Sequence, residues 1–360
     1  MSETSDFLAR LLRTGNRAYA AYASTQLCEV HPEAKRGSGP DPFAVWQRWL
    51  ASRVEELAAA VAVDEPTLFV SQVHWAKAVL AARGISTEYL RTSLKELRAV
   101  LAEELPEQVR SLAAEYLDAA IEAFDRQPDH AQPRLLPDTP HKRLASMYLL
   151  SLLEGDRRRA SQLILDALYA NGGVRDMYRH VLLPAQQELG RMWLTGEINV
   201  AEEHFASHTT KMVMAQLLAK ATCEPPNGKT LLAAAVADNQ HDIGLYAVAD
   251  FFELAGWRTI QLGADVPVND LVQATDCFNV DVLALSAALH VQIEVTKAAI
   301  EAVRKGPKGN TIKILVGGLA FANSTHLSEG IGADAYATGP DHAVRLGAQL
   351  VGLPQAEGET

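Results

Sequence analysis

The last third of the chain alternates between short apolar runs and helical patterns, and this alternation restricts the fold more than any other feature. The apolar runs have the length of β-strands and cover residues 229–237, 258–262, 280–286, 311–317 and 335–338. Helical spacing of apolar residues fills the segments 243–255, 267–277, 291–305 and 340–351. Wholly apolar strands that alternate with helices pair in parallel and are covered on both faces. Residues 228–355 are therefore predicted to form a flavodoxin/Rossmann-like, doubly wound parallel sheet.

The first 126 residues show helical patterns only. The predicted helices span 6–27, 42–62, 66–82, 87–104 and 107–125. Asp41-Pro42 and Glu65-Pro66 each place a proline at the first helical position, and Gly84 ends the third helix. Residues 1–126 are therefore predicted to form an all-helical domain.

A second helical block follows a proline-rich segment. Residues 127–140 hold four prolines and little periodicity, which is typical of a linker between domains. Four further helices are predicted at 141–154, 157–170, 174–194 and 199–221, separated by turns that contain glycine. The lengths and short connections favour a four-helix bundle over residues 141–222.

Composition excludes several classes of protein. The net charge of −11 argues against nonspecific binding to nucleic acid, which needs a basic face. The cysteines Cys28, Cys223 and Cys277 are odd in number and far apart, so they form neither a disulfide framework nor a CxxC metal site. The chain shows neither a signal peptide nor an apolar run of membrane-spanning length. We expect a cytoplasmic protein that binds neither membrane nor nucleic acid directly.

Three loops at the carboxyl ends of the predicted strands carry the chemistry. The first is Asn239–Gly244 (NQHDIG), the second is Leu285–Leu289 (LSAAL), and the third holds Gly317 and Gly318. Ligands of open α/β sheets bind at this edge, and neutral imidazole is the commonest metal ligand in proteins. Small residues occur at such turns in many α/β sheets, so one loop alone would carry little weight. All three in this order indicate a ligand site.

This order of loops resembles the corrinoid-binding domain shared by methionine synthase, corrinoid methyltransferase proteins and cobalamin photoreceptors. The resemblance implies base-off cobalamin with His241 as the lower cobalt ligand, and a slot for the displaced base. The implied cofactor contacts in these loops are Asn239, Gln240, His241, Asp242, Ile243, Gly244, Ser286, Ala288, Leu289, Gly317 and Gly318.

The chain departs from that family two residues before the histidine, where the family has aspartate and this chain has Asn239. We expect the Asn239 amide to hydrogen-bond the distal ring nitrogen of His241 without supplying negative charge. Asp238 or Asp242 can supply that charge in its place.

The predicted bundle carries Trp193, nine intervening residues, then Glu203-His204. This spacing resembles CarH-like photoreceptors, in which a helical bundle caps the upper face of adenosylcobalamin. The resemblance implies that Trp193 lies over the adenosyl group and that Glu203 and His204 contact it or shape the cap. The alternative is that Trp193 packs in the core of the bundle and has no contact with a cofactor. CarH-like proteins have a histidine directly after the tryptophan, whereas this chain has Leu194, so His204, His208 or water must take the upper position after illumination.

The N-terminal helical domain has no basic recognition helix for DNA. Its length and aromatic spacing resemble sensor globins without haem, and the whole chain is similar to photocobilins, which hold biliverdin beside cobalamin. His74 is the candidate bilin contact, the bilin is expected to be non-covalent, and its propionates could pair with Arg48, Arg53, Arg91 or Arg98. A structural role for His74, or a dimerisation or docking role for the domain, is the alternative.

These resemblances imply a light sensor that is not an enzyme. Light would cleave the cobalt–carbon bond of adenosylcobalamin and change the assembly of a homo-oligomer or its binding to a partner protein. Two alternatives stay open: a corrinoid methyl carrier of a methyltransferase system, and a cobalamin-dependent antirepressor.

Overall fold

The computed structural model describes residues 2–35, 41–126, 135, 138–168, 172–322 and 326–354. The chain forms two compact units, Met1–Ala131 and Gln132–Thr360. Their boundary falls within the predicted linker 127–140, most of which lies outside the described residues. None of the helices within the described ranges combines the length and apolar character that a membrane span needs.

The first unit is helical, as predicted. Its helices are α1 (Glu3–Val30), α2 (Pro42–Ala62), α3 (Pro66–Ala82), α4 (Thr87–Glu104) and α5 (Glu107–Ala123). Polar caps set two of the starts, because Ser2 accepts a hydrogen bond from the Ser5 N–H and Asp41 accepts one from the Ala44 N–H. The helix α1 is longer than the predicted segment 6–27, since this cap precedes the apolar pattern.

The second unit begins with the helical bundle. It contains α6 (Pro140–Leu153), α7 (Arg157–Ala167), α8 (Val174–Met177), α9 (Leu183–Thr195) and α10 (Val200–Leu218). The predicted helix 174–194 is interrupted by a π-helical turn, Tyr178–Leu182, in which the Leu183 N–H donates to the Tyr178 carbonyl oxygen. Pro184 follows directly, and its missing N–H prevents a regular α-helical hydrogen bond at this point. The end of the predicted helix 157–170 lies outside the described residues.

A five-stranded parallel sheet forms the rest of this unit, in the order β2-β1-β3-β4-β5. The strands are β1 (Thr230–Val236), β2 (Arg258–Val266), β3 (Val282–Ser286), β4 (Lys313–Gly317) and β5 (Ala335–Ala337). The covering helices are α11 (Ile243–Leu254), α12 (Val268–Cys277), α13 (Ile293–Lys305), α14 (His326–Gly330) and α15 (Pro340–Leu350). The doubly wound sheet predicted from the apolar runs is confirmed.

The strand predicted for β2 was shorter than the strand in the structure. This strand was expected to end at 262 but continues to Val266, because its pairing with β1 shifts register between Ala233 and Val236. Gly263 has a φ of +81°, which a bulge of this kind favours. The extension brings Asp265 to the carboxyl edge of the sheet.

The helix α11 joins the bundle to the sheet. On one face Ala247, Phe251 and Leu254 belong to the apolar core of the bundle. On the other face Leu245 and Phe252 belong to the core of the sheet. A helix buried on two sides is apolar around most of its circumference, which explains the sequence IGLYAVADFFEL.

Two polar contacts reinforce this packing. The Tyr178 hydroxyl donates to the Asp250 carboxylate over 2.5 Å, and both side chains are buried. Arg179 forms an ion pair with Asp341 in the first turn of α15, with its Nε 2.6 Å from Oδ2. The π-helical turn therefore supplies contacts to two helices that flank the sheet.

Asp250 makes the stability of this unit depend on pH. Burial raises the pKa of Asp250 to about 6, whereas the ordinary value is 3.8. The folded state therefore binds the Asp250 proton more tightly than the unfolded state does. The contribution of this proton to the free energy of unfolding is complete below about pH 4 and is lost as pH rises through about 6. Asp250→Asn keeps an acceptor for Tyr178 without the buried charge, and we expect it to stabilise the protein by about 1–3 kcal/mol at pH 8.

Urea unfolding of both proteins at pH 4 and pH 8 tests this expectation. The gain from Asp250→Asn should nearly vanish at pH 4, where the wild-type carboxyl is protonated. Asp270→Asn, at an exposed carboxylate, is the control and should show little difference between the two pH values. An equal effect of Asp250→Asn at both pH values would contradict the assignment.

Candidate functional site

The candidate site lies where the order of the strands reverses. In this sheet β1 is flanked by β2 and β3, so the connections after β1 and β3 leave toward opposite faces. A crevice opens at such a switch point, beyond the carboxyl ends of the strands. The residues His241 and Ser286 follow β1 and end β3, respectively, so the structure brings the two predicted loops together there.

Asn239, in the loop after β1, is fully buried. Its amide nitrogen donates to the Ser286 carbonyl oxygen at 2.9 Å, and its amide oxygen accepts from the His241 backbone N–H at 3.0 Å. Within the described residues it makes no hydrogen bond to the imidazole of His241. The expectation that Asn239 orients the ring is therefore corrected, because the amide is used to join two loops.

Two residues that the sequence analysis did not identify support the same loop. Asp265, at the end of β2, accepts from the Asp238 backbone N–H at 2.7 Å and from the Gln240 side chain at 3.2 Å. Gln292 is 2% exposed and donates to the Asp238 carbonyl oxygen at 2.9 Å. The loop after β1 is thus held by the end of β2 on one side and by the segment after β3 on the other. The only sequence signal for Asp265 was a polar residue shortly after the predicted strand 258–262, and no pattern pointed to Gln292.

The imidazole of His241 is exposed, and the described residues offer its ring no hydrogen bond. A β-carbon added at Gly244 would meet nothing within 4 Å, so space is open above this turn. The described residues contain no cluster of three or more side chains suited to a bare metal ion. A corrin ring brings cobalt with its equatorial ligands, so one accessible imidazole is the donor set that such a group requires. The residues present fit a corrinoid.

The third loop approaches the second by backbone contact. Gly318 has a φ of +101°, and a β-carbon there would lie 2.2 Å from the Ala287 carbonyl oxygen. The Ala287 N–H donates to the Gly317 carbonyl oxygen at 3.1 Å. The glycines therefore allow close approach of two loops. Ala288 is partly exposed and Leu289 is 47% exposed at the same edge.

The bundle residues predicted to form a cap lie at one end of α9 and α10. Trp193 is in the last turn of α9 and is 40% exposed, so it is not a core residue of the bundle. Glu203 and His204 lie in the first turns of α10, with the His204 Nδ1 2.8 Å from the Glu203 carboxylate. The His204 and His208 rings are 6.5 Å apart, which places both on one face of α10.

The same face of α10 leads to the loop after β1. Lys211 lies one turn beyond His208, and its Nζ is 2.6 Å and 2.7 Å from the two carboxylate oxygens of Asp242. Asp242 is 5% exposed, and Lys211 neutralises its charge. The Asp242 carboxylate is therefore not available to the imidazole. The expectation that Asp242 replaces the family aspartate is corrected. The contact places α10 beside the residue that follows His241.

The candidate bilin residues of the first unit have protein partners. His74 lies on α3 with its Nε2 2.9 Å from the Ala123 carbonyl oxygen, at the end of α5. Arg98 pairs with Asp118, Arg91 with Asp125, and Arg53 with Glu56, while Arg48 is exposed. These contacts give each of the paired side chains a structural role. A bilin contact at His74 stays a prediction.

Comparisons with known proteins agree with this geometry. Residues 229–345 match the family described as B12 binding domain, and residues 144–218 match a second family of the same description. A corrinoid protein of Desulfitobacterium hafniense is 24% identical over 206 residues, a match that covers 56% of this chain and 94% of that protein.

Methylamine corrinoid proteins also match. The dimethylamine corrinoid protein of Methanosarcina barkeri is 28% identical over 116 residues, which cover 32% of this chain and 54% of that protein. This chain thus spans about half the length of that relative. The structure of the Methanosarcina barkeri monomethylamine corrinoid protein superposes with a TM-score of 0.50 at 19% identity, covering 58% of this chain and 99% of that one.

That superposition shows a shared fold over 58% of this chain. The two domain matches span both elements that meet at the His241 loop, namely the bundle and the sheet. Together with the corrinoid-protein relatives, they support the assignment of this chain as a cobalamin-binding protein.

Proposed function

We propose that this protein is a corrinoid carrier that holds cobalamin base-off through His241 and passes methyl groups between a donor and an acceptor. The observation that carries the proposal is an exposed imidazole at the switch point of the sheet, beside a bundle that matches a B12 binding domain. Bound cobalamin supplies a cobalt centre that accepts and releases a methyl group. The donor and acceptor would be bound by partner methyltransferases.

The chain's own residues bind and orient this group. His241 would supply the imidazole that binds the cobalt, and the loops that contain Ser286 and Gly318 would form the slot for the displaced base. Asn239 and Asp242 are engaged elsewhere, and among the described residues no hydrogen bond joins the imidazole to Asp238 or to another carboxylate. A histidine without such a partner is a weaker base, so we expect it to bind cobalt less strongly than a histidine paired with a carboxylate would.

The relatives favour this proposal over the light sensor. Two of them are named as corrinoid proteins of methylamines, the third is named as a corrinoid protein, and none of these names refers to light. Leu194, which occupies the position of the photoreceptor's second cobalt ligand, also agrees with a carrier. The proposed partner is therefore a methyltransferase.

A light sensor is the second candidate, because Trp193 and Glu203-His204 keep the spacing of CarH-like photoreceptors. Trp193 is exposed enough to cover an upper ligand of the cobalt. This candidate binds adenosylcobalamin and changes its assembly in light. Biliverdin in the first unit would belong to it, and that expectation depends on the resemblance of the whole chain to photocobilins.

The two candidates predict different selectivity for the upper ligand. The full-length protein is titrated in the dark with methylcobalamin and with adenosylcobalamin, and its sedimentation is measured before and after green light. For a carrier we expect dissociation constants within about threefold of each other, which is a difference below about 1 kcal/mol. The sedimentation of the adenosylcobalamin complex should be the same before and after light.

A preference for adenosylcobalamin of more than about tenfold, together with a light-dependent change in sedimentation, would replace the carrier by the sensor. Biliverdin is added in a separate arm, in which a bound red-absorbing band would support a second chromophore. Absence of binding by either cobalamin would overturn both candidates.

A further inference from the structure

Two buried amide side chains connect the loop after β1 to the loop after β3. Asn239 donates to the Ser286 carbonyl oxygen and accepts from the His241 N–H. Gln292 accepts from the Ala288 N–H at 2.9 Å and from the Leu289 N–H at 3.0 Å, and it donates to the Asp238 carbonyl oxygen at 2.9 Å. We refer to Asn239 and Gln292 together as the amide bridge.

Both positions of the amide bridge require an amide side chain. Each side chain accepts from a backbone N–H and donates to a backbone carbonyl oxygen, so each needs a donor and an acceptor on one short planar group. A carboxylate has no proton for the carbonyl oxygens, and a hydrocarbon would leave buried backbone groups without partners. Asn239 is fully buried and Gln292 is 2% exposed, so water cannot take over these contacts readily.

The bridged segments are those that would meet the lower side of a corrinoid. One bridged segment ends at His241, the proposed cobalt ligand. The other runs from Ser286 to Leu289, along the proposed slot for the displaced nucleotide base. The amide bridge joins these segments through their backbones, so it sets their separation without touching the cofactor.

We propose that Asn239 and Gln292 are positioning residues that determine selectivity for corrinoids with a lower nucleotide over corrinoids without one. The proposal rests on the proposed binding of cobalamin at His241. A corrinoid without the nucleotide requires His241 alone. A complete cobalamin requires His241 and the slot at a fixed separation, and the amide bridge provides that separation.

Gln292→Met tests this proposal, because it keeps the length of the side chain and removes all three hydrogen bonds. Hydroxocobalamin and cobinamide, which ends before the nucleotide, are each titrated into the full-length protein, with absorbance as the readout. We expect the affinity for hydroxocobalamin to fall about 10–100-fold, as for other residues that orient a metal ligand, and the affinity for cobinamide to fall less than about threefold.

Two further variants separate positioning from a general loss of structure. Gln292→Glu keeps the two acceptor contacts but cannot donate to Asp238, so its loss of hydroxocobalamin affinity should be smaller than that of Gln292→Met. Gln349→Met changes an exposed glutamine in the last turn of α15, outside both bridged loops, and should bind both corrinoids like the wild type. Circular dichroism of each variant reports its folding.

Equal losses for hydroxocobalamin and cobinamide would show a merely structural role and overturn the proposal, as would unchanged affinity for both. Failure of the proposed binding of cobalamin at His241 gives a different result, since the wild type would then bind neither corrinoid.

Discussion

His241→Ala is expected to weaken binding of hydroxocobalamin by at least about 100-fold and to remove the spectral signature of histidine coordination. Loss of a residue that only orients a metal ligand costs about 10–100-fold in affinity, so loss of the ligand itself should cost no less. The His241 ring has no hydrogen-bond partner among the described residues, and its removal should therefore leave the fold intact. Absorbance titration and circular dichroism measure the two effects.

His342→Ala is the matched control for this experiment. His342 lies in the first turns of α15, and its Nδ1 is 3.1 Å from the Thr338 hydroxyl oxygen, at the same edge of the sheet. We expect this variant to bind hydroxocobalamin like the wild type. Added imidazole should partly restore coordination to His241→Ala and leave the control unchanged. Wild-type affinity in His241→Ala would exclude this residue as the cobalt ligand.

Gly318→Ala is expected to lower the free energy of unfolding by about 2–5 kcal/mol. The φ of +101° is unfavourable for an L-residue, and the added β-carbon would lie 2.2 Å from the Ala287 carbonyl oxygen. This oxygen also accepts a hydrogen bond from the Ala320 N–H at 3.2 Å, so it cannot move away without a further loss. Chemical denaturation measures the effect, and weaker cobalamin binding should accompany it.

Gly155→Ala separates the steric contact from the backbone conformation. Gly155 has a φ of +72°, but a β-carbon there would meet nothing within 4 Å. Its substitution should therefore cost only about 1–2 kcal/mol, the ordinary cost of a left-handed conformation for a non-glycine residue. If Gly318→Ala costs no more than this control, the loops after β3 and β4 are not packed as described.

The helices and strands could be predicted closely because their signals are local. Capping residues and prolines place the starts of α2 and α3 at the predicted residues 42 and 66. The alternation of apolar runs with helical spacing of apolar residues predicted all five strands. Two of the errors occurred where the chain makes a distant contact. The strand β2 extends past 262 because β1 pairs with it around Gly263, and the predicted helix 174–194 contains a π-helical turn whose Tyr178 reaches Asp250.

The candidate site was predictable in part. The placement of His241, Ser286 and Gly318 at one edge follows from parallel pairing, since the carboxyl ends of such strands meet there. The partners of Asn239 and Asp242 did not follow from the sequence. Asn239 was expected to face the imidazole, yet it bonds the carbonyl oxygen of Ser286, 47 residues away. Asp242 was expected to be available, yet Lys211 of α10 neutralises it.

The sequence by itself determined the helical and α/β segments, the parallel sheet and the exposed histidine loop, because caps, periodicity and turn residues act within a few positions of the chain. Only the tertiary structure decided which partners the polar side chains of that loop take. A buried amide or carboxylate bonds whichever donors and acceptors folding brings within about 3 Å, and for Asn239, Asp242 and Gln292 these come from other segments. Folding therefore assigned Asn239 and Gln292 to the backbone of two loops and left the imidazole of His241 open to a ligand.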